Sequence, residues 1–287
     1  MLRRCFLEVG VLVFATTGLA LSAQGASFSE ASLRGSYSFT LNKWTVDVGK
    51  NQYAEVGVLK FDGAGNMTGS ATAVGGGVSK DDVWSGTYTV NTDGTGAIEV
   101  TSSISKPPTF DLGFVLNSLA GGVAHGFQFM QTDNGNNVVI SGTALLQSPT
   151  KVTYSLASLQ GSFSFLYNSW SADPDFDEQG GIGTITFDGK GNLEGSFTAV
   201  DKGTVFTMTF TGTYAVNADG SCSMSLLQSN GSTPDLAGAL NSVGPQGAAA
   251  GLQLLVTNPG PSGSDDSTDY AITVTGVRQS TVSIPIP

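Results

Sequence analysis

The chain has 287 residues, 40% of them apolar and 12% charged, with 39 glycines and 10 prolines. That is too apolar and too poor in charge for disorder, and too often broken by glycine for a long coiled coil. With 12 basic against 23 acidic residues and no Lys/Arg cluster, its field repels polyanions, which argues against a nucleic-acid partner.

Residues 1–26 combine Arg3 and Arg4, an apolar run from Val9 to Ala23 and the small-residue exit Ala23-Gln-Gly-Ala26. This pattern predicts a cleaved signal peptide and a secreted or periplasmic cell-envelope protein. The run falls short of the ~20 apolar residues of a membrane span. Arg3-Arg4-Cys5-Phe6-Leu7 also looks like the core of a twin-arginine signal, although an ordinary basic start is the better reading because the segment ahead of the arginines is very short. Without residues 1–26 the chain loses Arg3, Arg4 and Glu8 and keeps 10 basic and 22 acidic residues. Cys222 is then the sole cysteine, which excludes an intrachain disulfide and reads as a buried, inert thiol.

From Ala31 onward the sequence repeats itself. Ala31-Ser-Leu-Arg-Gly-Ser-Tyr-Ser-Phe39 returns as Ala157-Ser-Leu-Gln-Gly-Ser-Phe-Ser-Phe165, and the same shift carries Trp44 onto Trp170. It also carries Phe61-Asp-Gly-Ala-Gly-Asn66 onto Phe187-Asp-Gly-Lys-Gly-Asn192, and Gly86-Thr-Tyr-Thr-Val-Asn-Thr-Asp-Gly94 onto Gly212-Thr-Tyr-Ala-Val-Asn-Ala-Asp-Gly220. The period far exceeds the ~20–50 residues of solenoid repeats. Two whole domains are expected, 27–148 and 149–287, with a short join that restricts their motion.

Within each copy apolar and hydroxylated residues alternate, as in Tyr37, Phe39 and Leu41 against Ser36, Ser38 and Thr40. Period two predicts half-buried antiparallel strands, near 35–42, 53–61, 66–74, 83–90, 96–102, 110–116, 123–131 and 137–146 in the first copy. Asp62-Gly63 and Asp93-Gly94 mark tight hairpins between them. No helical stripe follows residue 26, only possible turns near 111–118 and 234–242. The expected fold is all-β, two tandem up-and-down eight-stranded barrels, with β-sandwiches as the alternative. A membrane barrel would need the hydroxylated rows to line a lumen, and the Ile284-Pro-Ile-Pro287 end lacks the aromatic strand such proteins show.

The paired Phe-Asp-Gly-x-Gly-Asn and Gly-Thr-Tyr-x-Val-Asn-x-Asp-Gly motifs, closed by Ser141-Gly-Thr-Ala144 and Thr275-Gly-Val-Arg-Gln279, resemble those of uncharacterised secreted proteins of environmental bacteria. The resemblance covers nearly all of residues 27–287 and implies lipocalin-like barrels. It implies no activity.

Chemistry is sparse. His125 is the only histidine; in Val123-Ala-His-Gly-Phe127-Gln-Phe129 it shares parity with Val123, Phe127 and Phe129, so it is expected to point inward. Asp62 with Asp188, or Asp93 with Asp219, could suggest a glycosidase pair, but each sits where Asp caps its own turn. Asp173, Asp175, Asp177 and Glu178 resemble the start of a calcium loop whose continuation fails; a solvated acidic loop is the simpler reading. Trp44 and Trp170 fall where a barrel mouth would lie, and could plug it or flank a ligand entrance. The expectation is a secreted, non-enzymatic protein without cofactor that binds a small apolar molecule or glycan, with Trp44, Trp170, His125, Phe127 and Phe129 as speculative contacts. The alternative is a structural or adhesive envelope protein whose hydroxylated surface meets polysaccharide or protein.

Overall fold

The computed structural model describes residues 27–45, 53–75, 78–133, 138–148, 152–171, 179–201, 203–244, 247–258 and 270–279. The expected signal peptide, residues 1–26, lies outside them, as do Asp173, Asp175, Asp177 and Glu178.

The first copy runs through β1 (Arg34–Thr45), β2 (Tyr53–Asp62), β3 (Asn66–Gly75), β4 (Val78–Val90), β5 (Thr95–Ser102) and β6 (Thr109–Leu116). A small hairpin, β7 (Leu119–Ala120) with β8 (Val123–Ala124), precedes β9 (Gly126–Gln131) and β10 (Val138–Leu146). Apart from that hairpin each strand pairs antiparallel with the next, and β10 pairs back onto β1, closing a barrel of eight strands. The second copy repeats this as β11 (Gln160–Ser171), β12 (Gln179–Asp188), β13 (Asn192–Asp201), β14 (Thr204–Val216), β15 (Ser221–Gln228), β16 (Asp235–Val243), β17 (Ala249–Asn258) and β18 (Tyr270–Arg278), closed by β18 on β11. Closure removes sheet edges, and the two barrels are those expected from the repeat.

Apolar rows face inward and hydroxylated rows outward. In β1, Tyr37, Phe39 and Leu41 are buried; in β4, Trp84 and Tyr88 are buried while Ser85, Thr87 and Thr89 are exposed. The hydroxylated row therefore lines no lumen. The possible turns near 111–118 and 234–242 are instead largely strand: β6 coincides with the strand expected near 110–116, and the alternation of β16 is obscured by Gly238 with Ala237 and Ala239.

One end of each barrel is closed by a 3-10 helix that is too short to leave a periodic signal, Glu30–Ser32 and Leu156–Ser158. Leu33 and Leu159 follow these turns into the barrel floors and are fully buried. The Tyr88 hydroxyl donates to the Leu33 carbonyl at 2.7 Å, and the Tyr214 hydroxyl to that of Leu159 at 2.8 Å. The repeated Gly-Thr-Tyr motif is thus the device that pins the floor.

The repeated Phe-Asp-Gly-x-Gly-Asn motif is the β2–β3 and β12–β13 turn. Oδ1 of Asp62 accepts from the Ala64 and Asn66 amides at 2.7 and 3.0 Å, and Oδ2 from Asn66 Nδ2 at 2.6 Å. Asp188 makes the same three bonds, which hold its carboxyl down to about 2. Gly63 and Gly189 have φ of +78° and +74°, where a β-branched residue is strained. Gly63→Val or Gly189→Val is expected to destabilise its barrel by about 1–2 kcal/mol or more in urea unfolding; losses below ~0.3 kcal/mol at both would contradict the turn assignment.

The barrels meet along β1–β3 and β16–β18. Ala54, Val56 and Val74 pack with Leu255 in a small buried cluster, and Gln253 Nε2 donates to Thr40 Oγ1 at 3.4 Å. This explains why β2 is buried on both faces: one lines its own barrel and the other meets the neighbour.

Candidate functional site

The two interiors differ. The first barrel is filled by a continuous aromatic cluster. Tyr37, Phe61 and Phe127 lie 5.6–5.7 Å apart by ring centroids, and Trp84 packs between Phe39 and Phe110 at 5.1 and 5.6 Å. The second barrel encloses a cavity of about 440 Å³. Matched positions show why. Trp84 is replaced by Phe210, Phe110 by Pro234, Phe127 by Leu252 and Phe129 by Leu254, and Asp82 by the flexible Met208. The Gly96–Phe114 pair, in which the ring lies over the glycine, becomes Cys222–Gly238, with the thiol over the glycine. Rings leave and smaller groups replace them. Cys222 is fully buried and its thiol is pushed up to about 12 by desolvation, as befits an inert core thiol.

The cavity opens at the end opposite the Leu159 floor. Its wall can be followed across strand registers. At the rim, Ser169 (β11), Gln179 (β12) and Asp201 (β13) are consecutive register partners, making one polar rung. The next rung inward is Tyr167, Gly181, Ala199 and Phe206; the one below is Phe165, Gly183, Phe197 and Met208. Tyr167 and Phe206 flank Phe197 edge-on, at 5.7 and 6.3 Å between centroids. Met224, Leu236, Leu252 and Val274 line the deeper part. Gln228, Asn230 and Ser232 complete a polar rim across the mouth. No Lys, Arg or His lines the cavity among the described residues. The Tyr167 phenol is pushed up to about 12, by burial first and by the Asp201 carboxylate second.

The corresponding end of the first barrel carries a polar plug. Four donors converge on the buried Asp82: Trp84 Nε1 (2.8 Å) and Ser102 Oγ (2.6 Å) on Oδ2, and the Ser103 amide (2.9 Å) and Oγ (2.8 Å) on Oδ1. Glu55, 2% exposed, points inward beside it. Its Oε2 and the Tyr53 hydroxyl are buried without a hydrogen-bond partner among the described residues. Lys43 Nζ lies 5.6 Å from the Tyr53 ring centroid. Burial, and after it the Asp82 carboxylate, push Glu55 up to about 8.

That raised value has a thermodynamic consequence. Between the unfolded glutamate's ~4.3 and about 8, the folded chain retains a proton that the unfolded chain has released. Stability is therefore greatest below the lower value and declines as pH rises towards the upper one. The total loss is expected to be on the order of 5 kcal/mol. Glu55→Gln, which mimics the neutral form, should flatten this decline when urea midpoints of the two chains are compared from about pH 5 to about pH 9. Parallel pH profiles for the two chains would show that Glu55 is ionised and hydrated.

The residues singled out in sequence fall elsewhere. Phe127 and Phe129 are buried in the filled first barrel. His125 is not inward: it is exposed on the bend between β8 and β9, where its carbonyl accepts from the Leu146 amide at 2.8 Å. The bend breaks the strand parity on which the inward reading rested. Trp44 lies within β1 opposite Val139, half-buried, on the row of Thr40 and Asn42. Trp170 holds the matching register position opposite Ala271, and its side chain lies outside the described residues. Neither Trp44, His125, Phe127 nor Phe129 lines the cavity. Asp93 and Asp219, like Asp62 and Asp188, accept from their own turns, at 3.0 Å from the Thr95 and Ser221 amides.

No protein-family model and no curated protein matches the chain. Among solved structures it is similar to a protein of unknown function from the DUF3598 family of Nostoc punctiforme, at 14% identity over 87% of this chain and 98% of that one, with a TM-score of 0.27. It is also similar to transferrin binding protein B of serogroup B Neisseria meningitidis, at 8% identity over 86% and 77%, TM-score 0.33. A third similarity is to kievitone hydratase of Nectria haematococca, at 10% identity over 88% and 92%, TM-score 0.27. All three superpose loosely, and the barrel assignment stands on the strand pairing itself.

Proposed function

We propose that the protein is an exported binding protein that holds one small, mostly apolar molecule in its second barrel, while the filled first barrel serves as a stabilising and contact module. The observation that carries this reading is the contrast between the barrels. One interior is packed with aromatic rings; the other, on the same scaffold, has exchanged rings for smaller groups and keeps a cavity of about 440 Å³ with one polar rim. That volume falls within the ~300–1,000 Å³ of small-molecule pockets. Keeping an open cavity is costly, since each removed ring forfeits packing, and a bound ligand would restore those contacts.

The apolar wall favours a hydrocarbon-rich guest over a glycan, which would need hydrogen bonds along its whole length. Binding rather than catalysis is proposed because the cavity lining holds one carboxylate, Asp201, with no second acid, His or Lys among the described residues to work with it. Export would follow from residues 1–26. The test is native mass spectrometry of the protein recovered from culture medium. A small molecule released on unfolding, and absent from a variant with a filled second barrel, is the expected result. Protein that is ligand-free, and that takes up no apolar probe when offered one, would favour the structural reading in which the hydroxylated outer rows make the contacts.

A further inference from the structure

Two polar groups of the cavity make no hydrogen bond that holds the barrel together. Ser169 is 2% exposed, lines the cavity, and its Oγ is buried without a hydrogen-bond partner among the described residues. Oδ1 of Asp201, in the same register rung, is likewise buried and unpartnered. Two orphaned acceptors in one rung carry an unmet desolvation cost, typically ~1–3 kcal/mol each. Directly below them stand the faces and edges of Tyr167, Phe197 and Phe206, and the described lining holds no cationic side chain.

A carboxylate above a cluster of aromatic rings, with no cation of the protein's own, is complementary to a positively charged organic group. The carboxylate supplies a charge-assisted acceptor; the ring faces attract a cation through their quadrupoles, with greater effect where water is excluded. An acidic chain with 12 basic and 23 acidic residues adds a long-range field of the same sign. We infer that the second-barrel pocket is selective for apolar molecules bearing an ammonium head, with the head held by Asp201 and Ser169 against Tyr167, Phe197 and Phe206 and the hydrocarbon body lying against Met224, Leu252 and Val274. This rests on the proposed binding role of the second barrel and specifies its ligand class.

The first copy shows that the rung is a point of divergence. The positions of Ser169, Gln179 and Asp201 are there Lys43, Tyr53 and Gly75, and this barrel is filled. The acidic, hydroxylated rung accompanies the cavity.

The test is a series of probes of equal chain length, decylamine, decan-1-ol and decanoate, titrated calorimetrically below their aggregation limits into the full-length protein. Decylammonium is expected to bind about tenfold or more tighter than decan-1-ol, and decanoate weakest, because a carboxylate would face Asp201. Asp201→Asn should abolish the preference by lowering decylammonium affinity about tenfold, towards that of decan-1-ol, and Ser169→Ala should reduce decylammonium affinity severalfold. Equal binding of amine and alcohol by the unmodified protein, or a preference that survives Asp201→Asn, would overturn the inference while leaving the pocket intact. Failure of all three probes to bind would overturn the pocket itself. Because the probe series reads out on the unmodified protein, the inference stays decidable even if a variant misfolds.

Discussion

Returning the first barrel's rings to the second is expected to abolish ligand binding. Leu252→Phe with Leu254→Phe restores the residues found at Phe127 and Phe129. Both leucines line the cavity, so the added ring volume is directed into its deep part. In the first barrel Phe129 lies over Gly142; the strand registers put Val274 at that position in the second barrel, while Gly276 sits opposite Leu252. Gly276 leaves room beside position 252, and the ring at position 254 shares the cavity with Val274. Affinity for a neutral apolar probe should fall by about 100-fold or more, since occupied space excludes the guest outright, while stability changes by less than ~2 kcal/mol because a void is being filled. Fluorescence titration and urea unfolding on the same protein separate the two effects. Undiminished binding by a well-folded double variant would place the ligand elsewhere, and the Trp44 and Trp170 positions would be the next to test.

Trp84→Ala is expected to be the most damaging single truncation in the first barrel. The ring is fully buried, touches Phe39 and Phe110, and donates to Asp82. Truncation removes the core contacts and one of the four donors to a buried carboxylate, for a total of about 3–5 kcal/mol or more. Phe210→Ala, at the matching position in the second barrel, should cost less, about 2–3 kcal/mol, because that ring already borders a cavity and forfeits fewer contacts. Chemical unfolding of both variants gives the comparison. Equal losses would mean that the second interior is as well packed as the first.

These contrasts show which parts of the sequence are legible. The repeat, the strands and the hairpins could be read because they rest on identities: Asp62-Gly63 and Asp188-Gly189 demand positive φ, and Tyr37, Phe39 and Leu41 alternate with hydroxyls. The cavity rests on the positions where the copies differ, such as Phe114 against Gly238 and Trp84 against Phe210. Searching for likeness passes over them. Volume summed around a closed barrel also depends on which strands face one another, which no single strand reveals. The Ser169, Gln179 and Asp201 rung is invisible for the same reason. Its members lie far apart in sequence, and only the registers of β11 with β12 and β12 with β13 bring them together.

Glu55 was readable in principle. It shares parity with Tyr53, Leu59 and Phe61, which makes it an inward acid in an otherwise apolar strand. Its neighbour Asp82 lies in Lys80-Asp-Asp82, just ahead of the strand expected near 83–90, whereas β4 starts at Val78. His125 shows the opposite error. Parity was extended across a bend that β7 and β8 impose, and the side chain turned outward to solvent.

The most direct test of the central claim is the stoichiometry of a neutral apolar probe, counted by native mass spectrometry on the full-length chain. An account with one filled and one hollow barrel predicts a single probe per chain at saturation, lost in the Leu252→Phe/Leu254→Phe variant. Two probes per chain would show that the first barrel is also open, and none would show that the second cavity does not serve as a binding site.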